Sequence, residues 1–238
     1  PFYHKLILPF LIPFLIAMAI GPKLKWIKSN LKNKINLILF FIISFLISFL
    51  IMSTIKVKFL FNTILLSSAF YLFFVSLKDF FKNKINNFSQ NIAHFGFSLL
   101  ILSILFNNFL SKEVITNLKI GESFQSKDLK ISFESLNQNT ISNYESLVGK
   151  FNIENSKGDT EILYPELRIY NQPNIVTSEA DIKISLWSDK FMTMNYVNNQ
   201  EYFNIRYQTK PFMIWIWIST LIITIGGFTS LLKKRHEN

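Results

Sequence analysis

The 238-residue sequence contains no cysteine, so disulfides, thiolate metal ligands and thiol nucleophiles are excluded from this chain. Glycine is scarce, seven residues in all, and nowhere forms a glycine-rich loop able to cradle a phosphate. Acid is scarce outside one segment. Residues 111–210 carry 11 basic and 13 acidic side chains, whereas the remainder carries 14 basic and only 2 acidic ones, Asp79 and Glu237. The net charge of +10 therefore belongs to bases set between apolar runs, the topology signature of a membrane protein and not a nucleic-acid-binding stripe. No nucleic-acid partner is expected.

Apolar residues, by contrast, make up half the chain, with 26 phenylalanines, more than one soluble core requires. A spanning helix needs about 20 mostly apolar residues, because lipid offers a bare backbone no hydrogen bonds. Runs at 35–52, 59–77, 92–110 and 212–232 meet this and contain no Asp, Glu, Lys or Arg. A fifth run, 6–20, is shorter and carries Pro9 and Pro13, which predict a kink. The chain opens on Pro1 directly into that run and is expected to be a piece of a longer protein.

The loops set an orientation. Lys23, Lys25, Lys28, Lys32 and Lys34 fill 21–34; Lys78, Lys82 and Lys84 lie in 78–91; Lys233, Lys234 and Arg235 end the chain; the loop 53–58 has only Lys56 and Lys58. Placing the first three groups in the cytoplasm lets every helix cross once and puts 111–210 in the periplasm, with Trp215 and Trp217 at the outer interface. Residues 111–210 read as β-rich. Strand-length runs at 114–120, 129–136, 149–153, 161–170, 180–187 and 202–207 are separated by turn residues at 137–143, 155–159 and 171–174. The predicted fold is a polytopic α-helical membrane protein of about five transmembrane helices. One small periplasmic sandwich or barrel, 111–210, is inserted before the last helix and basic tail, 211–238.

Only three histidines occur. His4 and His236 read as interfacial or solvated. His94 falls on the third residue of an uncharged apolar span, where an ionisable group is costly and marks a functional hypothesis. Two readings stand: a neutral imidazole hydrogen-bonded across helices, or an axial ligand of haem iron. On a helix Gln90, Phe97, Ser98 and Ile101 share its face; Phe97 and Ile101 suit packing on a macrocycle, and Gln90 or Ser98 suit orienting the second imidazole nitrogen. A bis-imidazole site needs a second histidine from another span. Glu166, Glu179 and Asp181 have no spacing that marks a hydrolase and read as surface charge; Tyr164-Pro165-Glu166 reads as a strand end and turn.

Five motifs then occur in order: Pro1-Phe2-Tyr3 through Ile20-Gly21-Pro22, Asn91-Ile92-Ala93-His94-Phe95-Gly96, Leu163 through Tyr170, Ser178 through Ile182, and Lys210-Pro211-Phe212 through Trp217 with Gly226-Gly227. Together they resemble the C-terminal third of the CcmF family, the large haem-lyase subunit of system I cytochrome c maturation. The resemblance covers the whole chain. It implies a transmembrane haem b held by two histidines, of which His94 matches one. It also implies a haem-carrying chaperone, CcmE, delivering haem at the periplasmic face, apocytochrome c presented with CcmH, and quinol as electron donor. The family's tryptophan-rich haem-handling segment and periplasmic histidine pair are absent; Trp26, Trp187, Trp215 and Trp217 do not make that motif, and 190–199 departs from the family pattern. This chain alone is therefore not expected to attach haem. The alternative is a non-catalytic membrane assembly scaffold or interaction subunit without a haem site of its own. A transporter subunit fits less well, since broken helices and several intramembrane polar groups are lacking.

Overall fold

The computed structural model describes residues 2–23, 31–55, 59–82, 88–141, 143–156, 158–197 and 201–236. Pro1, Trp26 and the loop bases Lys25, Lys28, Lys56, Lys58 and Lys84 lie outside the described residues. The chain divides into a helical unit, 1–109 with 212–238, and a β unit, 110–211.

The helical unit comprises α1 (Phe2–Ile20), α2 (Leu31–Thr54), α3 (Phe59–Lys82), α4 (Phe88–Leu110) and α5 (Met213–His236), with a short 3₁₀ turn, Gly21–Lys23, after α1. Among the described residues four helices are long and apolar enough to cross a membrane: Ile35–Thr54, Leu60–Phe81, Phe88–Leu110 and Met213–Leu232; the apolar part of α1, Pro9–Ile20, is shorter. Both prolines of α1 sit inside one helical segment. Helix α3 is the most enclosed. Its Leu65, Leu66, Ala69, Leu72 and Val75 are buried, and its small Ser67, Ser68 and Ser76 let neighbouring backbones come close. Rings bind α3 to α4: Phe73 and Phe80 flank Phe95 at 5.6 and 6.0 Å between centroids, and Phe70 meets Phe106 at 5.9 Å.

Helix α4 turns a different face to α5. A Cβ on Gly96 would lie 2.9 Å from side-chain carbons of Ile222 and Ile223, and one on Gly226 would lie 2.8 Å from the Ala93 backbone nitrogen. Nothing larger than hydrogen fits at either position, so the crossing depends on both glycines.

The β unit is a two-sheet sandwich. Its strands are β1 (Lys112–Leu118), β2 (Ser123–Gln125), β3 (Leu129–Ile141), β4 (Tyr144–Asn155), β5 (Thr160–Leu163), β6 (Glu166–Asn171), β7 (Asn174–Glu179), β8 (Asp181–Lys183), β9 (Ser188–Tyr196) and β10 (Phe203–Pro211). One sheet has the order β1-β10-β9-β8; the other runs β2-β3-β4-β6-β7, with β5 paired to β4. Alternation places Ile131, Phe133, Leu147, Phe151, Ile153, Leu167, Met192, Met194, Phe203 and Ile205 between the sheets. Phe133 and Phe151 stack at 4.3 Å between centroids, with Phe203 edge-on to Phe133. Gly149 is required in this core, because its Cβ would stand 2.6 Å from the Phe151 ring. The first and last strands pair, Lys112 opposite Thr209, so the entering and leaving chain emerge together at one end of one sheet.

Three expectations are corrected here. The expected turn at 137–143 is strand through Ile141, because β3 keeps pairing with β4 there, and β4 is flanked on its other side by β6; the exposed Asn137, Gln138, Asn139 and Thr140 need only that backbone pairing. The run 180–187 is not one strand; only Asp181–Lys183 pairs, and the chain then turns into β9, a strand not expected from the sequence. The run 161–170 is broken by Tyr164-Pro165 into β5 and β6, as a proline without an N–H requires.

Candidate functional site in the helical unit

His94 lies on α4, partly buried, at a small polar cleft between helices. Gln90 and Asn91 join it from the same helix, Val75, Ser76 and Asp79 come from α3, Met18 and Ala19 come from the end of α1, and Pro22 comes from the 3₁₀ turn that follows it. The Asn91 amide nitrogen donates to the Asp79 backbone oxygen at 3.2 Å, which ties the two helices together beside the imidazole. The enclosed space is about 10 Å³, which matches one water molecule.

Of the residues predicted to share the face of His94, Gln90 lines this cleft and is itself exposed. Phe97 and Ile101 pack into the helical core, Phe97 meeting Phe14 edge-on at 6.2 Å. Ser98 is fully buried, and its hydroxyl donates to the Phe95 carbonyl of its own helix at 2.7 Å. The structure therefore brings Gln90 to His94 and assigns Phe97, Ser98 and Ile101 contacts within the bundle. What sequence reasoning missed is Asp79. It was read as loop because the apolar run ends at Leu77, but α3 continues through Lys82 and carries Asp79 up to the cleft. A signal existed: Asp79 is the one acid in the first 110 residues.

An imidazole nitrogen in an apolar bundle is the right donor for haem iron. The enclosed space is not right for the ring, since pockets for ligands of that size run to several hundred Å³. A macrocycle bound by His94 would need the outward side of the partly exposed imidazole. Among the described residues no cluster of three or more metal-ligating side chains occurs.

In the β unit the expected acids are structural. Glu166 and Glu179 stand directly opposite each other on β6 and β7, and Arg168 lies between them, 3.0 Å from Glu166 and 3.9 Å from Glu179. Buried Ser146 donates to the other Glu166 oxygen at 2.6 Å. Arg168, then Ser146, hold the Glu166 carboxyl below the ordinary carboxylate range against the opposing effect of burial. Asp181 accepts from the Tyr164 backbone N–H at 2.7 Å and so anchors the Tyr164-Pro165 break. A larger cleft of about 600 Å³ opens at the end of the sandwich, lined among others by Lys112, Glu113, Asp128, Lys190 and Tyr207. Its charges are already matched: Lys112 with Asp128, Lys190 with Glu161, Glu113 with Arg206. It carries no net charge to select a ligand.

Known proteins share this arrangement. Residues 109–211 match the family model described as the CcmF C-terminal beta-sandwich. The cytochrome c-type biogenesis protein CcmF of Haemophilus influenzae is 28% identical over 167 residues, which covers 69% of this chain and 25% of that protein. Its counterpart in Escherichia coli is 26% identical over 145 residues, 61% of this chain and 22% of that protein. The cytochrome c-type biogenesis protein ccl1 of Rhodobacter capsulatus is 25% identical over 152 residues, 64% and 23% respectively. A solved structure, the cytochrome c heme lyase CcmF, superposes with a TM-score of 0.74 at 15% identity over 95% of this chain and 39% of that one, a likeness of fold. The chain thus spans about a quarter or less of the length of these curated relatives. The matched β-sandwich over residues 109–211, the relatives and the likeness of fold make this chain similar to the CcmF cytochrome c-type biogenesis proteins, most specifically to their C-terminal beta-sandwich.

Proposed function

We propose that the chain forms the C-terminal part of an inner-membrane haem lyase for cytochrome c maturation. It contributes His94 as one axial ligand of a transmembrane haem b, and its β unit supports haem transfer to apocytochrome c from the periplasmic side. The observation that carries the reading is an imidazole held inside an apolar helix of a chain bearing the CcmF C-terminal sandwich. The positive-inside pattern supports a periplasmic 110–211 and a cytoplasmic tail. The pairing of β1 with β10 is consistent with that topology, since both connections to the spans leave one end of the domain. When bound, a haem b at this position supplies one-electron chemistry. The chain's own part is to present a neutral imidazole nitrogen and to orient its ring through the polar groups of α3 and α4. The second ligand, and the partners CcmE, CcmH, apocytochrome c and quinol, complete the proposal from outside this chain.

One observation favours a second reading. The one-water cleft with Ser76, Asp79, Gln90 and Asn91 is also what a packing histidine needs for its hydrogen bonds. In that case the chain is a membrane assembly scaffold. Cells lacking their own CcmF separate the two when complemented with the protein that carries this chain. Replacing His94→Ala is expected to cut covalently bound cytochrome c haem about tenfold or more at equal membrane protein. Undiminished maturation would leave the scaffold reading standing and the ligand reading without support.

A further inference from the structure

The hairpin connecting β8 to β9 inverts the ordinary polarity of a loop. Its polar groups are engaged within the turn: Asp189, only 7% exposed, accepts from the Ser185 backbone N–H at 3.0 Å, and the Ser185 hydroxyl accepts from the N–H groups of Trp187 and Ser188 at 3.4 Å. Its apolar side chains point outward, with Ile184 70%, Leu186 50% and Trp187 62% exposed. Three large apolar groups presented by a turn that satisfies its own polar atoms form a contact surface.

The register of the sheet indicates what that surface meets. Ser188 pairs with Pro211, the last residue of β10, and the apolar span begins at Met213. Two residues of chain reach at most about 7.6 Å, and cross-strand partners lie about 5 Å apart, so Ser188 stands within roughly 13 Å of the first residue of the span. Trp215 and Trp217, in the first turns of that span, mark the depth of the headgroups. Lys183 and Lys210 carry cations at the same end of the sheet, Lys210 being the cross-strand partner of Asp189. We propose that Ile184, Leu186 and Trp187 insert into the headgroup and upper acyl region of the lipid bilayer. They anchor the β unit to the membrane surface, as an indole and two aliphatic chains do at an interface. This rests on the membrane reading of α5 and is independent of haem ligation at His94.

The absence of cysteine makes the test direct. A nitrobenzoxadiazole label is attached to the full chain through Ile184→Cys or, in a second variant, Trp187→Cys, and the protein is placed in phosphatidylcholine and phosphatidylglycerol vesicles. Asn195→Cys is the comparison: it is exposed on the same strand, seven residues from Ser188 and thus about 23 Å along it. Labels at 184 and 187 are expected to be quenched by lipid carrying a doxyl group at carbon 5 and protected from iodide. The label at 195 is expected to be quenched by iodide. Iodide quenching at 184 and 187 equal to that at 195 would overturn the proposal. Protection from both quenchers would overturn it too, because protein and not lipid would then cover the loop.

Discussion

One small side chain added at a glycine is enough to test how α4 meets α5. Gly226 and Gly96 stand where a Cβ would enter the facing backbone or side chains, at 2.8 and 2.9 Å. Gly226→Val is therefore expected to cost about 1–3 kcal/mol, seen as a lower midpoint for helix unfolding in detergent, whereas Gly227→Val, with open space around it, should leave that midpoint unchanged. Glu166 supports a prediction about pH. Folding lowers its pKa, chiefly through Arg168, so its contribution is fully present above the unfolded value of about 4.3 and is lost as pH falls through the lower folded value. Glu166→Gln should remove part of the acid-induced fall in melting temperature below about pH 4; an unchanged acid limb would mean that Arg168 does not bind it in solution. Tyr207 behaves oppositely. Burial, then the nearby Glu161 charge, push its phenol up to about 12. Its neutral form is the folded form, so it should resist ionisation between the ordinary tyrosine value of about 10 and that limit. Absorbance at 295 nm should show fewer early-titrating tyrosines in the folded protein than after unfolding, since burial also raises Tyr196, and Tyr207→Phe should reduce that difference by one.

At the scale of elements, core packing of the β unit gives the clearest expectation. Phe151 is fully buried between Phe133, Gly149 and the facing sheet. Phe151→Ala should cost about 3–5 kcal/mol, a large share of the 5–15 kcal/mol typical of a domain, and should speed hydrogen exchange in β3 and β4 before that of α3. The elements also show what the sequence could and could not convey. Apolar length alone identified α2, α3, α4 and α5, because lipid permits little else over 20 apolar residues. Proline at 165 correctly divided β5 from β6. Strand β9 escaped notice because Ser188–Tyr196 mixes Lys190, Thr193 and Asn195 with methionines, and its inward residues are recognisable only once Met192 and Met194 join the core, Met194 against Gly149 of the facing sheet. The end of β3 was hidden for the opposite reason: residues 137–141 are exposed on the sheet edge and held by pairing with β4, so they need no apolar alternation. In the candidate site His94 was legible because an ionisable group in an apolar run is conspicuous. Asp79 was not, because a helix ends where its hydrogen bonds end, and α3 runs more than a turn past Leu77, where its uncharged run stops.

At the scale of the molecule, the two units divide the charge as they divide the solvent. The acids lie almost wholly in the β unit, while the spans carry bases at their margins. The β unit is inserted by two neighbouring antiparallel strands, so one short crossing point joins it to α4 and α5. At that point the chain passes from β10 to α5 through Phe212, at φ 61°, whose carbonyl accepts the N–H groups of Trp215 and Ile216 and so starts the helix at once. The direct measurement is the visible spectrum of the protein that carries this chain, purified in mild detergent with and without His94→Ala. The account predicts that the reduced α and β bands of a six-coordinate b-type haem are lost or converted to a five-coordinate spectrum in the variant. Identical bands at identical haem content in both proteins would contradict it.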